Sequence, residues 1–168
     1  IVVANDAATE WEHRAIALRP GLTLPPRKRW PVSSGIVGRA IRTGEPQLVL
    51  DVANDPDFFG MDPKITCEYA VPLRFQGRIV GAFNVGEIVR GLFQSAYLGY
   101  YAFAPHAGAG YMSEGLELVL HVAFRVLKLH RVEVNVQPTN RRSLTLVRRA
   151  GFVREGYSRR YVRVAGQW

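Results

Sequence analysis

Apolar residues recur at Met112, Leu116, Val119, Leu120, Ala123, Val126 and Leu127, positions that share one face of a helix with 3.6 residues per turn. The pattern predicts an amphipathic helix from Met112 to Leu129. Directly afterwards Val132, Val134 and Val136 alternate with Arg131, Glu133 and Asn135, the period of a strand with one buried face. Pro138-Thr139-Asn140 then opens a second helix through Arg149, which Gly151 stops, and Phe152 to Val164 reads as two closing strands around Gly156. Ahead of the first helix, Ala96 to Phe103 is a tyrosine-rich strand that runs into a glycine-rich turn, Pro105-His106-Ala107-Gly108-Ala109-Gly110.

The pattern is different upstream. Ile1 to Ala4 and Glu12 to Leu18 read as strands joined in a hairpin, and the proline-rich run Arg19 to Pro31 is expected to be loop, because proline removes ladder donors. Ser34 to Gly44 suits a short helix, with Ser33 or Ser34 as N-cap, apolar residues at Ile36, Val37, Ala40 and Ile41, and Gly44 as its stop. Pro46 to Val52 returns to strand, and Asn54 to Asp62 is acidic and turn-rich. Tyr69 to Phe75 and Arg78 to Val85 form a hairpin around Gln76-Gly77.

Composition narrows the class. A chain of 168 residues with 48% hydrophobic content fits one domain, and two only if both are small. The longest apolar stretch, Leu116 to Leu129, is broken by Glu117, His121, Arg125 and Lys128, so no membrane span is expected. Nothing near Ile1 reads as a secretion signal, and a single cysteine, Cys67, rules out an internal disulfide. Together these point to the cytoplasm. The charge is lopsided: residues 91–168 hold eleven Lys/Arg against four Asp/Glu and carry seven of the eight net positive charges. Such a field attracts polyphosphate ligands, nucleic acid or acidic surfaces alike, or serves solubility alone.

The candidate chemistry lies in the strand, glycine-rich turn and helix from Ala96 to Leu129. Glycines at 108 and 110 remove Cβ atoms, so backbone N–H groups can approach a ligand, and the next helix adds unpaired donors and the positive end of its dipole. That is an anion site in outline. A Gly-x-Gly turn alone also fits many tight turns that bind nothing.

The surrounding motifs are more specific. Tyr97-Leu98-Gly99-Tyr100-Tyr101, Ala107-Gly108-Ala109-Gly110-Tyr111-Met112-Ser113-Glu114, His130-Arg131-Val132-Glu133, Pro138-Thr139-Asn140-Arg141-Arg142-Ser143 and Gly151-Phe152-Val153-Arg154-Glu155-Gly156 follow in order over about the last 80 residues. This half resembles the GNAT N-acetyltransferases, and within them the ribosomal-protein N-acetyltransferase subgroup. The resemblance implies acetyl-CoA as co-substrate and an amine acceptor such as a protein N-terminus or a small amine. It further implies that Phe103, Ala104 and Pro105 line the pantetheine arm, that the amides of Gly108, Ala109, Gly110, Tyr111 and Met112 hold the pyrophosphate, and that Asn140 and Ser143 sit beside the thioester. Family members carry glutamine or arginine where Pro105 stands and often glutamine at Ala109; both departures keep the backbone donors. Where many members carry a tyrosine general acid this chain has Val147, and the resemblance to the subgroup moves that role to Ser143. A helix-surface serine bonded back to a carbonyl is the other reading of Ser143. The base stays open, with Glu114 and Glu117 expected on the helix surface.

Residues 1–86 resemble something else, a GAF domain. The matching stretches are Ile1 to Leu18, Ser34 through Pro46, Leu48 to Val52 with Asp55 to Phe58, and Ala70 to Leu73 through Gly81 to Val85. GAF domains commonly bind small molecules, but no residue here names a ligand. Cys67 reads as a packed small residue rather than a chromophore attachment point. The missing initiator methionine and the abrupt end at Trp168 fit a chain trimmed at both ends.

The expectation is therefore one composite α/β domain over residues 1–168, a three-layer sandwich with a mixed, largely antiparallel sheet fused across a join near residue 86. Its expected activity is acetyl-CoA-dependent N-acyltransfer, or CoA binding alone where the acceptor half is replaced. A non-catalytic GAF-like ligand-binding or scaffold module is the rival, and nucleic-acid binding by the basic half a third reading without a motif. A metal site is not expected.

Overall fold

The computed structural model describes residues 2–4, 10–13, 29–58, 65–103, 106–159 and 161. Its frame is a five-stranded sheet in the order β4-β5-β6-β7-β8. These strands are β4 (Gln47–Val49), β5 (Glu68–Phe75), β6 (Arg78–Val89), β7 (Ser95–Ala102) and β8 (Arg131–Glu133). All neighbours are antiparallel except β7 and β8, which run parallel because helix α2 (Tyr111–His121) carries the chain back between them. The mixed, largely antiparallel sheet expected from the sequence is therefore present.

The sheet separates two apolar layers. Register places Tyr69, Val85 and Leu98 in one row across β5, β6 and β7, and Val71, Phe83 and Tyr100 in the next. Leu116, Val119 and Ala123 of the α2 segment pack on this face, joined by Leu146 and Ala150 from helix α3 (Arg141–Arg149) and its end. Burying side chains such as Phe83 and Leu116, both essentially inaccessible, stabilises the fold by about 1.5–3 kcal/mol each. On the opposite face Ala70 meets Ile36 and Ala40 of helix α1 (Gly35–Thr43) and Val52. Helices thus lie on both sides of the sheet. Cys67 packs against the larger core, as a small apolar residue would.

Local chemistry accounts for most boundaries. Gln76 and Gly77, both at positive φ, make the tight β5–β6 turn, and left-handed Gly44 ends α1 by donating its N–H to Ala40 O. The predicted helix over 112–129 starts one residue earlier and changes to a wider π turn over Val122–Val126. Arg90, at the tip of the β6–β7 hairpin, donates to the Leu127 carbonyl at 2.5 Å and supplies the cation that a helix C-terminus favours.

Five expectations are corrected. Arg29–Pro31, inside the proline-rich run expected to be loop, is strand β3, and it lies on the edge of its sheet, where a missing proline donor costs least. It pairs with β2 (Glu10–His13), which pairs with β1 (Val2–Ala4), so these three strands form a sheet of their own rather than extending the five-stranded one. The expected hairpin of the first two strands is present, and its predicted residues 14–18 lie outside the described residues. Pro46 to Val52 shortens to β4 because Val52–Asn54 turns as a 3-10 helix, and β8 stops at Glu133 instead of Val136 because its partner moves away. Residues 152–158 form no strand: Phe152 N–H is taken by Val147 O, and the positions expected to complete that pair, 160 and 162–164, lie outside the described residues. Among the described residues no helix is long and apolar enough to cross a membrane.

Candidate functional site

Strand β7 ends where Phe103 donates its N–H to Val80 O at 3.0 Å; its side chain is buried. Ala104 and Pro105, two of the residues singled out from the sequence, lie outside the described residues. The chain then turns through His106, whose N–H donates to Phe103 O, and Ala109, whose N–H donates to His106 O. Gly108 and Gly110 both take left-handed backbone, φ 91° and 92°, which a side chain at either position would strain. Residues 107–110 are exposed, and no described atom lies within 4 Å of a Cβ built on either glycine.

Helix α2 begins at this turn. Ser113 N–H, at 2.9 Å, and Glu114 N–H both donate to Gly110 O, but the amides of Gly108, Gly110, Tyr111 and Met112 have no hydrogen-bond partner among the described residues. Unpaired donors at a helix start, added to the positive end of the dipole, favour an anion. The neighbouring side chains are held aside. The Tyr111 ring lies 4.4 Å from that of Phe75, and Met112 sits over Gly81, where its sulfur would be 2.9 Å from a Cβ built there.

The second half of the site comes from a separation of strands. Parallel pairing joins Ser95 to Arg131, Ala96 to Val132 and Tyr97 to Glu133, and then ceases, although β7 continues to Ala102. Since Phe103 points its N–H toward β6, alternation along the antiparallel ladder turns the backbone of Tyr100 and Ala102 to the other side, where no strand among the described residues pairs with them. Helix α3 spans the opening. Its N-cap Asn140 accepts the Ser143 N–H on Oδ1 at 3.1 Å, fixing the first turn. Ser143 Oγ is hydrogen bonded to the Tyr100 hydroxyl. The carbonyl back-bond that a helical serine can form is made instead by Thr145, to Arg141 O. Val147 is buried in the core beneath α3.

Electrostatics set apart several groups here. Burial pushes the Tyr100 phenol above its ordinary range, with Ser143 pulling the other way. Tyr97 and Tyr101 are pushed up to about 12, both mainly by burial, with Tyr161 and Glu133 adding at Tyr97 and Glu68 at Tyr101. Glu68 itself is pushed up to about 7 by burial, Asp55 adding and Arg39 opposing. Nearby in the register, Asn84 has a buried Oδ1 without a partner. Glu114 and Glu117 are exposed on α2, as their helical positions predicted. Beside Glu117 a cleft of about 240 Å³ runs between α2 and α3, lined by Ser113, Leu146, Arg149 and Ala150.

The structure thus brings Gly108 to Met112, Phe103, Asn140 and Ser143 around one end of β7 and the adjoining starts of two helices. Sequence reasoning missed Tyr100, although two-residue alternation from Leu98 puts it on the helix-covered face. It also missed Glu68, whose burial depends on distant packing.

The model of the acetyltransferase (GNAT) domain matches residues 51–153. The chain belongs to that family. This GNAT chain is 41% identical to Probable N-acetyltransferase YjcK of Bacillus subtilis (strain 168) over 91 residues, 54% of this chain and 50% of the relative. It is 39% identical over 90 residues to the ribosomal-protein-uS5-alanine N-acetyltransferase of Escherichia coli (strain K12), covering 54% and 46%. Among solved structures, RimJ of Mycobacterium smegmatis in complex with CoA-disulfide superposes with a TM-score of 0.56 at 32% identity, over 59% of this chain and 48% of that one. The chain spans about half the length of the curated relatives it matches. The GNAT match begins at residue 51, so it takes in β5 and most of the sheet ahead of the join placed near residue 86.

Proposed function

We propose that this chain binds acetyl-CoA and is built for N-acyltransfer to a primary amine. The observation that carries the reading is the set of amides at Gly108, Gly110, Tyr111 and Met112 without partners among the described residues, opening beside a length of β7 that β8 does not pair. These residues fit the cofactor: the diphosphate would take the amides, the pantetheine amides would take the free backbone of Tyr100 and Ala102, and the thioester would lie toward Asn140 and Ser143. The thioester supplies an activated acyl carbon. The protein orients the amine against it, gives backbone N–H groups to the developing oxyanion and, through Ser143, a proton to the leaving sulfur. The amine's own proton leaves to solvent or a base. The ribosomal-protein relative supports a protein N-terminus as acceptor, and the excess of cations over residues 91–168 suits a triply phosphorylated cofactor.

The reading includes the first half of the chain. Residues 1–86 stand in for the usual acceptor side as a GAF-like segment, and residues 1–168 act as one composite domain joined within β6. Support comes from β6 itself, which pairs along most of its length with β5 on one side and β7 on the other. Calorimetric titration with acetyl-CoA and CoA tests the proposal. Binding is expected below millimolar ligand, and its absence there overturns the reading. Thiol release against N-terminal peptides or small amines then tests turnover; binding without release assigns the chain a cofactor site alone.

A further inference from the structure

We infer that Tyr100 is a positioning residue that stands behind Ser143 and feeds its proton to the leaving sulfur. The inference deepens the proposed function and rests on the thioester lying beside Ser143. Three observations lead to it. Tyr100 Oη and Ser143 Oγ are hydrogen bonded although 43 residues separate them in the chain. Each end is held independently: the Tyr100 ring sits opposite Phe83 on the neighbouring strand, centroids 6.1 Å apart, and Ser143 is fixed by the Asn140 cap. The bond also lies just past Tyr97 and Glu133, where β7 and β8 part and Tyr100, paired with Phe83 on the β6 side, has no strand partner on the β8 side among the described residues.

The chemistry calls for such a second group. A serine hydroxyl is a far weaker acid than a thiol, so serine alone gives up its proton to a thiolate only by leaving an alkoxide. A phenol, ordinarily near pKa 10, lies much closer to the thiol's value of about 8.5. With Tyr100 behind it, Ser143 becomes a conduit. As the C–S bond breaks, the sulfur takes the Oγ proton, Ser143 takes the Oη proton, and the phenolate is reprotonated from solvent, which has received the proton lost by the amine. No other reactant is needed. Burial keeps the phenol protonated at neutral pH, so the donor is present before the reaction begins.

The test reads this donor pair without requiring turnover. Affinities for CoA and for desulfo-CoA are measured from about pH 6.5 to about pH 9.5, spanning the ordinary thiol pKa of about 8.5. A Ser143 donor beside the sulfur, backed by the Tyr100 phenol, favours its thiolate, so the CoA to desulfo-CoA affinity ratio should rise about tenfold across that range in the wild-type protein. Tyr100→Phe keeps the ring against Phe83, and both it and Ser143→Ala should flatten the rise to less than about threefold. A rise lost in Ser143→Ala but kept in Tyr100→Phe overturns the role of Tyr100 and leaves the cofactor site standing, and a flat wild-type ratio does the same. Failure of the wild-type protein to bind either ligand overturns the cofactor reading and this inference with it. A purely structural Tyr100 would lower both affinities in parallel and leave the ratio's pH profile unmoved.

Discussion

Arg39 and Asp55 meet through two parallel hydrogen bonds, Nη2 to Oδ2 at 2.7 Å and Nη1 to Oδ1 at 3.0 Å, fastening α1 to the turn that follows β4. Arg39 Nη1 also reaches Asp57 Oδ2 at 3.2 Å, and Nε donates to Gln47. A planar fork is needed for this arrangement, which a lysine ammonium does not supply. Arg39→Ala should therefore lower stability by about 1–3 kcal/mol, and Arg39→Lys should recover less than half of the loss. Urea unfolding measures both. A change indistinguishable from zero for Arg39→Ala would show the pair to be ornamental.

Glu68 gives the fold a dependence on pH. Its carboxyl titrates at about 7 in the folded protein against 4.5 as a free side chain, so the folded state holds the proton more tightly. The stabilising contribution is complete below pH 4.5 and is lost as pH rises through 7. Its size is on the order of 1–3 kcal/mol. Burial and then Asp55 favour the neutral form, and Arg39 opposes them. Glu68→Gln should abolish this slope in a pH series of urea unfolding and make the protein the more stable of the two above pH 7. Parallel curves for the two proteins would contradict the assignment.

Gly115 sets how closely α2 approaches the sheet. A Cβ there would lie 2.7 Å from Phe83 Cε2 and 2.9 Å from Leu73 Cδ1, both in the packed interior. Gly115→Val should cost about 1–3 kcal/mol through overpacking despite valine's apolar character. A midpoint of thermal unfolding equal to that of the wild type would mean that the helix has slack at this point.

Gly110 tests the cradle rather than the core. Its left-handed backbone makes any side chain strained, by about 1–3 kcal/mol, yet the site is exposed and the fold should survive. Gly110→Val should remain folded by circular dichroism while affinity for CoA falls at least about tenfold, equivalent to the loss of about 1.4 kcal/mol. Retained affinity in a folded variant would place the phosphate site elsewhere.

What the sequence made readable was local. The stripe from Met112 to Leu127 announced α2, Gln76-Gly77 announced the hairpin, and Asn140 announced the start of α3, because each signal is complete within a few residues. The features it hid depend on partners far along the chain. Val134 and Val136 carry strand periodicity, yet β8 ends at Glu133 because β7 has turned away, and no local pattern encodes that divergence. Pro31 argued against a strand until Glu10 proved to be its neighbour on an edge. The Tyr100–Ser143 contact and the burial of Glu68 beneath α1 likewise require the assembled sheet. For the site, the motif residues could be named in advance, but the group that partners Ser143 could not.

Among the described residues three paired positions fasten β8 to the rest of the sheet. Residues 131–159 are therefore a leaf attached along one short margin, with Leu146, Ala150 and Phe152 packed on the core and Ser143 bonded to Tyr100 supplying its remaining hold, while Arg131 ties the leaf together internally through Glu133 and Glu155. An extended molecule bonded to the free margin of β7 would lengthen that attachment. How firmly the last part of the chain is anchored, and how fully the gap is occupied, are consequently a single linked equilibrium.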